Sequence, residues 1–288
     1  MTTSPPARDS AHRSDQADAG TLPLPLFYEL SAADDWRAID FISDLHLDPT
    51  VPKSFEAWAA HLLHTAADAV FILGDLFEVW VGDDVRRRPF ERRCVEVLAE
   101  ATSRRQVAFM PGNRDFLLGT AMLKDCGLMA LPDPTVLSAW GQRVMLTHGD
   151  ALCLADTDYQ RFRSEVRGEN WRHRFLARPL DERIDIAAGI RHASEARKQS
   201  TPDPALWADI DSAAAVAWMH AAGTAEMVHG HTHRPGSETL APGYKRHVLS
   251  DWDLDHAPPR AEVLRLSRDG FRRIAPVAAL QPTGCGSD

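Results

Sequence analysis

Short apolar runs punctuate this chain, and five of them end in the same way. Residues 37–43, 70–73, 107–111, 143–147 and 225–228 are each four to seven residues long and largely apolar, and each is followed by a polar or glycine-bearing turn. Runs of that length without alternation read as strands buried on both faces. Helical spacing predicts a helix over 53–65 after the first run and another over 90–103 after the second. Residues 246–249 and 261–266 read as closing strands. Between the fourth and fifth runs, residues 151–222 carry almost no strand signal and have helical spacing in pieces, which predicts a helical insertion. No internal repeat is evident. Strands alternating with helices indicate an α/β fold.

Composition adds limits. The 288 residues are 44% hydrophobic, enough for a sizeable core. A formal charge of -9 argues against general nucleic-acid binding, which needs a basic excess. The four cysteines (Cys94, Cys126, Cys153, Cys285) have no metal-binding spacing and read as reduced thiols of a cytosolic protein. No apolar run is long enough to cross a bilayer. Residues 1–35 read as a disordered tail, polar at first and then proline-interrupted. Residues 276–288 read as a second tail, leaving one folded domain over 36–275.

The chemistry sits where the strands end. Asp44 and His46 follow the first run, and in an extended segment residues two apart face the same way. Gly74-Asp75 follows the second, Gly112-Asn113-Arg114-Asp115 the third, His148-Gly149-Asp150 the fourth, and His229-Gly230-His231-Thr232-His233 the fifth. A lone Asp after Gly is usually a turn residue. A lone His is usually a hydrogen-bonded or surface residue, which suits His61, His64, His12, His173, His192, His220 and His256. Five such elements in order are hard to obtain by accident. Oxygen and imidazole donors without thiolate suit a divalent transition metal more than a structural zinc or an all-oxygen calcium or magnesium cage.

These motifs resemble the calcineurin-like metallophosphoesterases. The longer stretches Gly74-Asp-Leu-Phe-Glu-Val-Trp-Val-Gly-Asp-Asp84, Gly112-Asn-Arg-Asp-Phe-Leu-Leu-Gly119 and His229-Gly-His-Thr-His-Arg-Pro235 are similar to those of the family's pyrophosphatases that act on UDP-2,3-diacylglucosamine in lipid A synthesis. The resemblance implies an αββα sandwich of two mixed sheets flanked by helices, with a helical lid. It implies two metal ions, usually manganese. Asp44, His46, Asp75 and His231 would hold one, and Asp75, Asn113, His148 and His229 the other. A metal-bridged water held at Asp75 would be the nucleophile. His233, outside the implied ligand set, would orient a ligand. The implied substrate contacts are Asn113, Arg114, Asp156, Ser194, Lys198 and His229. The implied setting is the cytoplasmic face of the inner membrane, with the protein peripheral on an anionic lipid surface.

Arg114 favours a particular bond. Arginine cannot act as a general acid at neutral pH, so it cannot protonate an alkoxide leaving group. A leaving phosphate needs no such help, and a guanidinium can clamp it bidentately. The plainer expectation is that Arg114 pairs with Asp115, Asp83 or Asp84.

The insertion carries ten Arg and Lys against seven acids over 157–200, about +3 against about -12 for the rest of the chain. Trp171, Phe175, Leu176, Leu180, Ile184, Ile186 and Ile190 are interleaved with these charges. Inward packing of a helical cap explains most of them. The sharper expectation is an acyl-chain cleft with arginines at a membrane rim. A soluble phosphoesterase acting on nucleotides or phosphoproteins is the alternative activity, and a metal-free interaction module on the same fold is the non-enzymatic one. Nothing in the sequence points to a protein partner.

Overall fold

The computed structural model describes residues 24–200 and 209–277, with side chains of the helix ending at Ser200 described as far as residue 192. Two six-stranded sheets face each other. In one, β2 (Ala38–Ile42), β3 (Ala69–Leu73), β4 (Gln106–Met110) and β5 (Met129–Ala130) run parallel, and β11 (Val263–Ser267) and β12 (Gly270–Ile274) add antiparallel beside β2. The other has the order β1 (Tyr28–Ser31), β6 (Thr135–Ala139), β7 (Gln142–Thr147), β8 (Glu226–His229), β10 (Tyr244–Val248) and β9 (Gly236–Ala241). Here β7, β8 and β10 are parallel, while β6 pairs antiparallel with β7 and β9 antiparallel with β10. Both sheets are mixed.

The pleat sorts side chains into three apolar layers. Along β3, Ala69, Phe71 and Leu73 pack between the sheets with Phe41, Leu146 and Val228, while Val70 and Ile72 turn outward. Burying a side chain of this size contributes about 2 kcal/mol. The outward face of β2–β4 meets Phe55, Trp58 and Leu62 of α1 (Pro52–His64), Cys94 and Leu98 of α2 (Pro89–Thr102), and Met122 of α3 (Thr120–Cys126). The outward face of the other sheet meets Ala215, Trp218 and Met219 of α7 (Ser212–Ala222). Strands β2, β3, β4, β7 and β8 are thus covered on both sides, which is why these runs read as continuous rather than alternating.

Two expectations change. Tyr28–Ser31, expected in the tail, is an edge strand pairing parallel with β6, while residues 1–23 and 278–288 lie outside the described residues. Its mostly exposed pattern gives no apolar run to read. The insertion is also shorter than 151–222. The last helix in that span, α7, is the crossover between parallel strands β7 and β8 and belongs to the sandwich. The lid proper is α4 (Thr157–Val166), α5 (Glu169–Leu176) and α6 (Leu180–Ser200). Phe175 enters the core, with Trp171, Leu180, Ile184 and Ile186 packed against it. Leu176 and Ile190 stay 40% and 39% exposed. No helix among the described residues is long and apolar enough to cross a membrane.

Candidate metal centre

Parallel strands deliver their C-terminal ends to one edge of a sheet. Here both sheets do so at the same edge, and the following loops are laced together. Asp44 N–H donates to Gly74 O, His46 N–H to Asp75 O, Gly230 N–H to His148 O, and Trp252 N–H to Asp44 O. That lacing brings all seven predicted donors into one region.

The backbone at the donors is unusual. Asp44, His46, Asp75 and His231 have φ of 52°, 47°, 54° and 66°, as does neighbouring His233 at 52°. Non-glycine residues avoid this left-handed region, and strain there concentrates at functional sites. The expectation that Asp44 and His46 project from an extended segment is therefore corrected. Strand β2 ends at Ile42, and left-handed turns aim both side chains. Gly112 makes the approach of two loops possible, because a Cβ there would fall on the Asp75 carboxylate and backbone.

Asp44, Asp75 and His148 present ligand atoms within 4.8 Å of one another, and so do Asp44, His46 and His233. Asn113 Oδ1 lies 3.0 Å from His148 Nε2 and 2.8 Å from His231 Nδ1. His148 Nδ1 is held at 2.9 Å by the Leu73 carbonyl, which leaves Nε2 facing Asp75 Oδ2 at 3.7 Å. His229 Nδ1 lies 2.9 Å from Gly230 O, while its buried Nε2 has no hydrogen-bond partner among the described residues. Fixing one ring nitrogen so that the other faces inward is how metal-binding histidines are oriented.

The electrostatics suit a cation. Burial opposes ionisation of Asp44, yet its hydrogen bond with His233 and the fields of His148 and His46 hold its carboxyl far below the usual range. Burial also opposes protonation of His148, but Asp75, Asp44 and Asp150 raise it to about 9. Burial pushes His229 down to about 4 and His231 to about 3, keeping them neutral as ligands must be. The neutral imidazoles of His229 and His231, an amide oxygen and two carboxylates whose field attracts positive charge together fit divalent transition ions.

Arg114 does not pair as the plainer expectation had it. Asp115 accepts from the N–H groups of Gly112 (2.8 Å) and Leu76 (2.7 Å), stapling the loop after β3 to the loop after β4. Asp83 accepts from Gly119 N–H and Met122 N–H, and Asp84 pairs with Arg183. Arg114 instead lies 3.7 Å from Glu78, with its backbone N–H donating to Asp75 Oδ1 at 2.8 Å.

Asp156 is the N-cap of α4 and accepts from Tyr159 N–H at 3.0 Å. The side chains of Ser194 and Lys198 lie outside the described residues. His233 sits 3.4 Å from Asp44 Oδ1 and 3.3 Å from His46 Nε2, with its other nitrogen 3.6 Å from Asp251. His61 matches its plain expectation, buried against Asp40 at 3.1 Å.

Several residues of the site escaped the sequence. Asp150 is fully buried and takes Tyr159 Oη–H (2.6 Å), Arg163 Nε–H (2.7 Å) and, more loosely, Arg167 (3.5 Å), tying α4 to the His148 loop. Arg167 also donates to Gly112 O, and the Tyr159 ring stacks on His231 at 6.0 Å. The one available signal was Asp150 itself, directly after His148-Gly149.

The calcineurin-like phosphoesterase model matches residues 38–235. A protein of Ralstonia nicotianae named UDP-2,3-diacylglucosamine hydrolase is 44% identical over 250 residues, covering 83% of this chain and 92% of its own. Proteins of the same name from Xanthomonas campestris pv. campestris and Bordetella pertussis are each 41% identical over 80% of this chain, covering 96% and 92% of theirs. By these matches, with the sandwich and the strand-edge donors, the chain belongs to the calcineurin-like phosphoesterases.

Proposed function

We propose that this chain hydrolyses the pyrophosphate of UDP-2,3-diacylglucosamine, releasing UMP and 2,3-diacylglucosamine 1-phosphate. The observation that carries the proposal is the placement of Arg114 beside Asp75, its backbone N–H on the Asp75 carboxylate and its guanidinium near Glu78, where the donors of the two sheets meet. The names of the 41–44% identical relatives support the choice of substrate.

Asp44, His46, Asp75 and His231 would hold one ion and Asp75, Asn113, His148 and His229 a second, with manganese the expected metal. Bound there, two divalent ions lower the pKa of a water and neutralise charge on phosphoryl oxygens. His233, whose Nε2 faces Asp44 Oδ1 and His46 Nε2, would orient both. Asn113 and His229 face the phosphate to be attacked, and Arg114 clamps the departing one. Water adds to the phosphorus of the UMP half, the bond from that phosphorus to the bridging oxygen breaks, and the leaving phosphate departs as an anion needing no general acid.

Asp156, Ser194 and Lys198 are proposed sugar and phosphate contacts from the lid. A cavity of about 190 Å³ between Phe77, Val79, Phe90, Ile184 and Ala188 supports an acyl-chain site under the lid. Exposed Leu176, Ile190 and Val79 support contact with the cytoplasmic face of an inner membrane, where the substrate would reside. The basic excess of the lid supports this less than its charge count, because Arg163, Arg167, Arg183 and Arg191 are engaged by acids inside the molecule.

The test is incubation of purified protein with manganese and UDP-2,3-diacylglucosamine in detergent, with and without chelator. Chelator-sensitive UMP release is expected. Turnover only of soluble nucleotides or phosphoproteins would replace the lipid substrate, and turnover of none of these would favour a metal-free module.

A further inference from the structure

The loop from Phe77 to Asp84 lies between the donors and the lid, and its acid Glu78 reaches both. Glu78 is held by backbone on two sides. Its N–H donates to Leu47 O at 3.2 Å, continuing a parallel bridge between Leu47 and Phe77. Two residues on, Trp80 N–H donates to Arg114 O at 3.0 Å. The chain that carries His46 and the chain that carries Arg114 thus fix Glu78 between them.

Its carboxylate divides its contacts. Oε2 lies 3.0 Å from His46 Nδ1. Oε1 lies 3.2 Å from Arg191 of α6 and 3.7 Å from Arg114. The Glu78 side chain is only 15% exposed, so these contacts are shielded from water and strengthened accordingly. A carboxylate behind a metal-binding imidazole fixes the ring and raises its basicity.

We propose that Glu78 is a positioning residue that orients His46 and, through Arg191, latches the lid helix to the metal centre. The inference rests on the reading of His46 as a metal ligand. It gives the loop after β3 a job: one carboxylate makes ligand geometry and lid position interdependent. The same loop receives the base of the lid helix, where buried Arg183 binds Asp84 and the Val81 carbonyl. Gly82 is required there, because a Cβ would strike Arg183 and Leu176, and its φ is 130°.

The test compares wild type with Glu78→Gln, Arg191→Gln and the double variant, using manganese alone. Two readouts are taken: manganese affinity by calorimetry, and amide hydrogen exchange over residues 180–192. Glu78→Gln should weaken manganese binding by about 10- to 100-fold and speed exchange in the helix. Arg191→Gln should speed exchange while leaving manganese affinity within about twofold, since the Glu78 carboxylate stays on His46. The double variant should exchange no faster than Glu78→Gln alone, because both remove one latch. If Glu78→Gln does not fold, Glu78→Asp replaces it, and its shortened carboxylate should weaken manganese binding likewise. Unchanged manganese affinity in the Glu78 variant, or additive effects on exchange, would overturn the proposal. Neither readout involves UDP-2,3-diacylglucosamine, so failure of the substrate proposal is seen separately, as absent UMP release.

Discussion

Asp40, in the middle of β2, is fully buried among Arg265 (2.6 and 2.9 Å), His61 (3.1 Å) and Thr65 (2.6 Å). Burial works against its charge, but hydrogen bonds from Arg265, His61 and Thr65 overcome it and lower its pKa from 3.8 to about 2. A carboxyl depressed on folding adds stability at pH above its unfolded value and loses it as pH falls through the folded one. Asp40 should thus contribute about 2 kcal/mol at pH 7, shed between about pH 4 and pH 2. Acid unfolding of the wild type and of Asp40→Asn, followed by circular dichroism, checks this: the gap between the two should narrow across that window. A constant gap would show that Asp40 titrates alike in the folded and unfolded states. The sequence displayed an acid inside an apolar run but not its partners, which come from β11 and α1. Glu78 was illegible for the same reason, since His46, Arg114 and Arg191 are far from it in the chain. The seven donors could be read because each follows a buried strand directly. How they are aimed could not, because left-handed φ at Asp44, His46, Asp75 and His231 leaves no mark in residue type.

At the scale of elements, the buried strands that end at the donors were legible, while the edge strands and buried β6 (Thr135–Ala139) were not. Strands β2, β3, β4, β7 and β8 are apolar runs because they are covered on both faces. Strand β9 (Gly236–Ala241) has no buried residue, and β12 (Gly270–Ile274) is a half-exposed edge, so neither shows a run. Helix α7 read as part of the insertion because spacing alone does not say which sheet a helix covers. Among its described residues, helix α6 is docked at its first turns, where Arg183 is 3% exposed and bound to Asp84 and Val81 O. Arg183→Ala should raise hydrogen exchange in α6 by about tenfold or more while β2 and β3 stay protected, because lid opening is local rather than global. Equal loss of protection in β3 would mean that the lid and the sandwich open as one unit.

Across the whole molecule, the two sheets contribute different halves of one site. Sheet β2–β5 supplies Asp44, His46, Asp75 and Asn113, and sheet β7–β10 supplies His148, His229 and His231. The inter-sheet core of Phe41, Phe71, Leu146 and Val228 sets their separation, so the site depends on the packing of the sandwich. The lid then joins through Asp150, Glu78 and Asp84, each an acid at the edge where the donors lie. The central claim is that Asp75 belongs to both halves as a ligand shared by two ions. The most direct measurement is electron paramagnetic resonance of the manganese-loaded chain and of Asp75→Ala. Two exchange-coupled ions per chain are expected in the wild type, with loss of the coupling and at most one tightly bound ion in the variant. One ion in the wild type, or two ions whose coupling survives removal of Asp75, would contradict it.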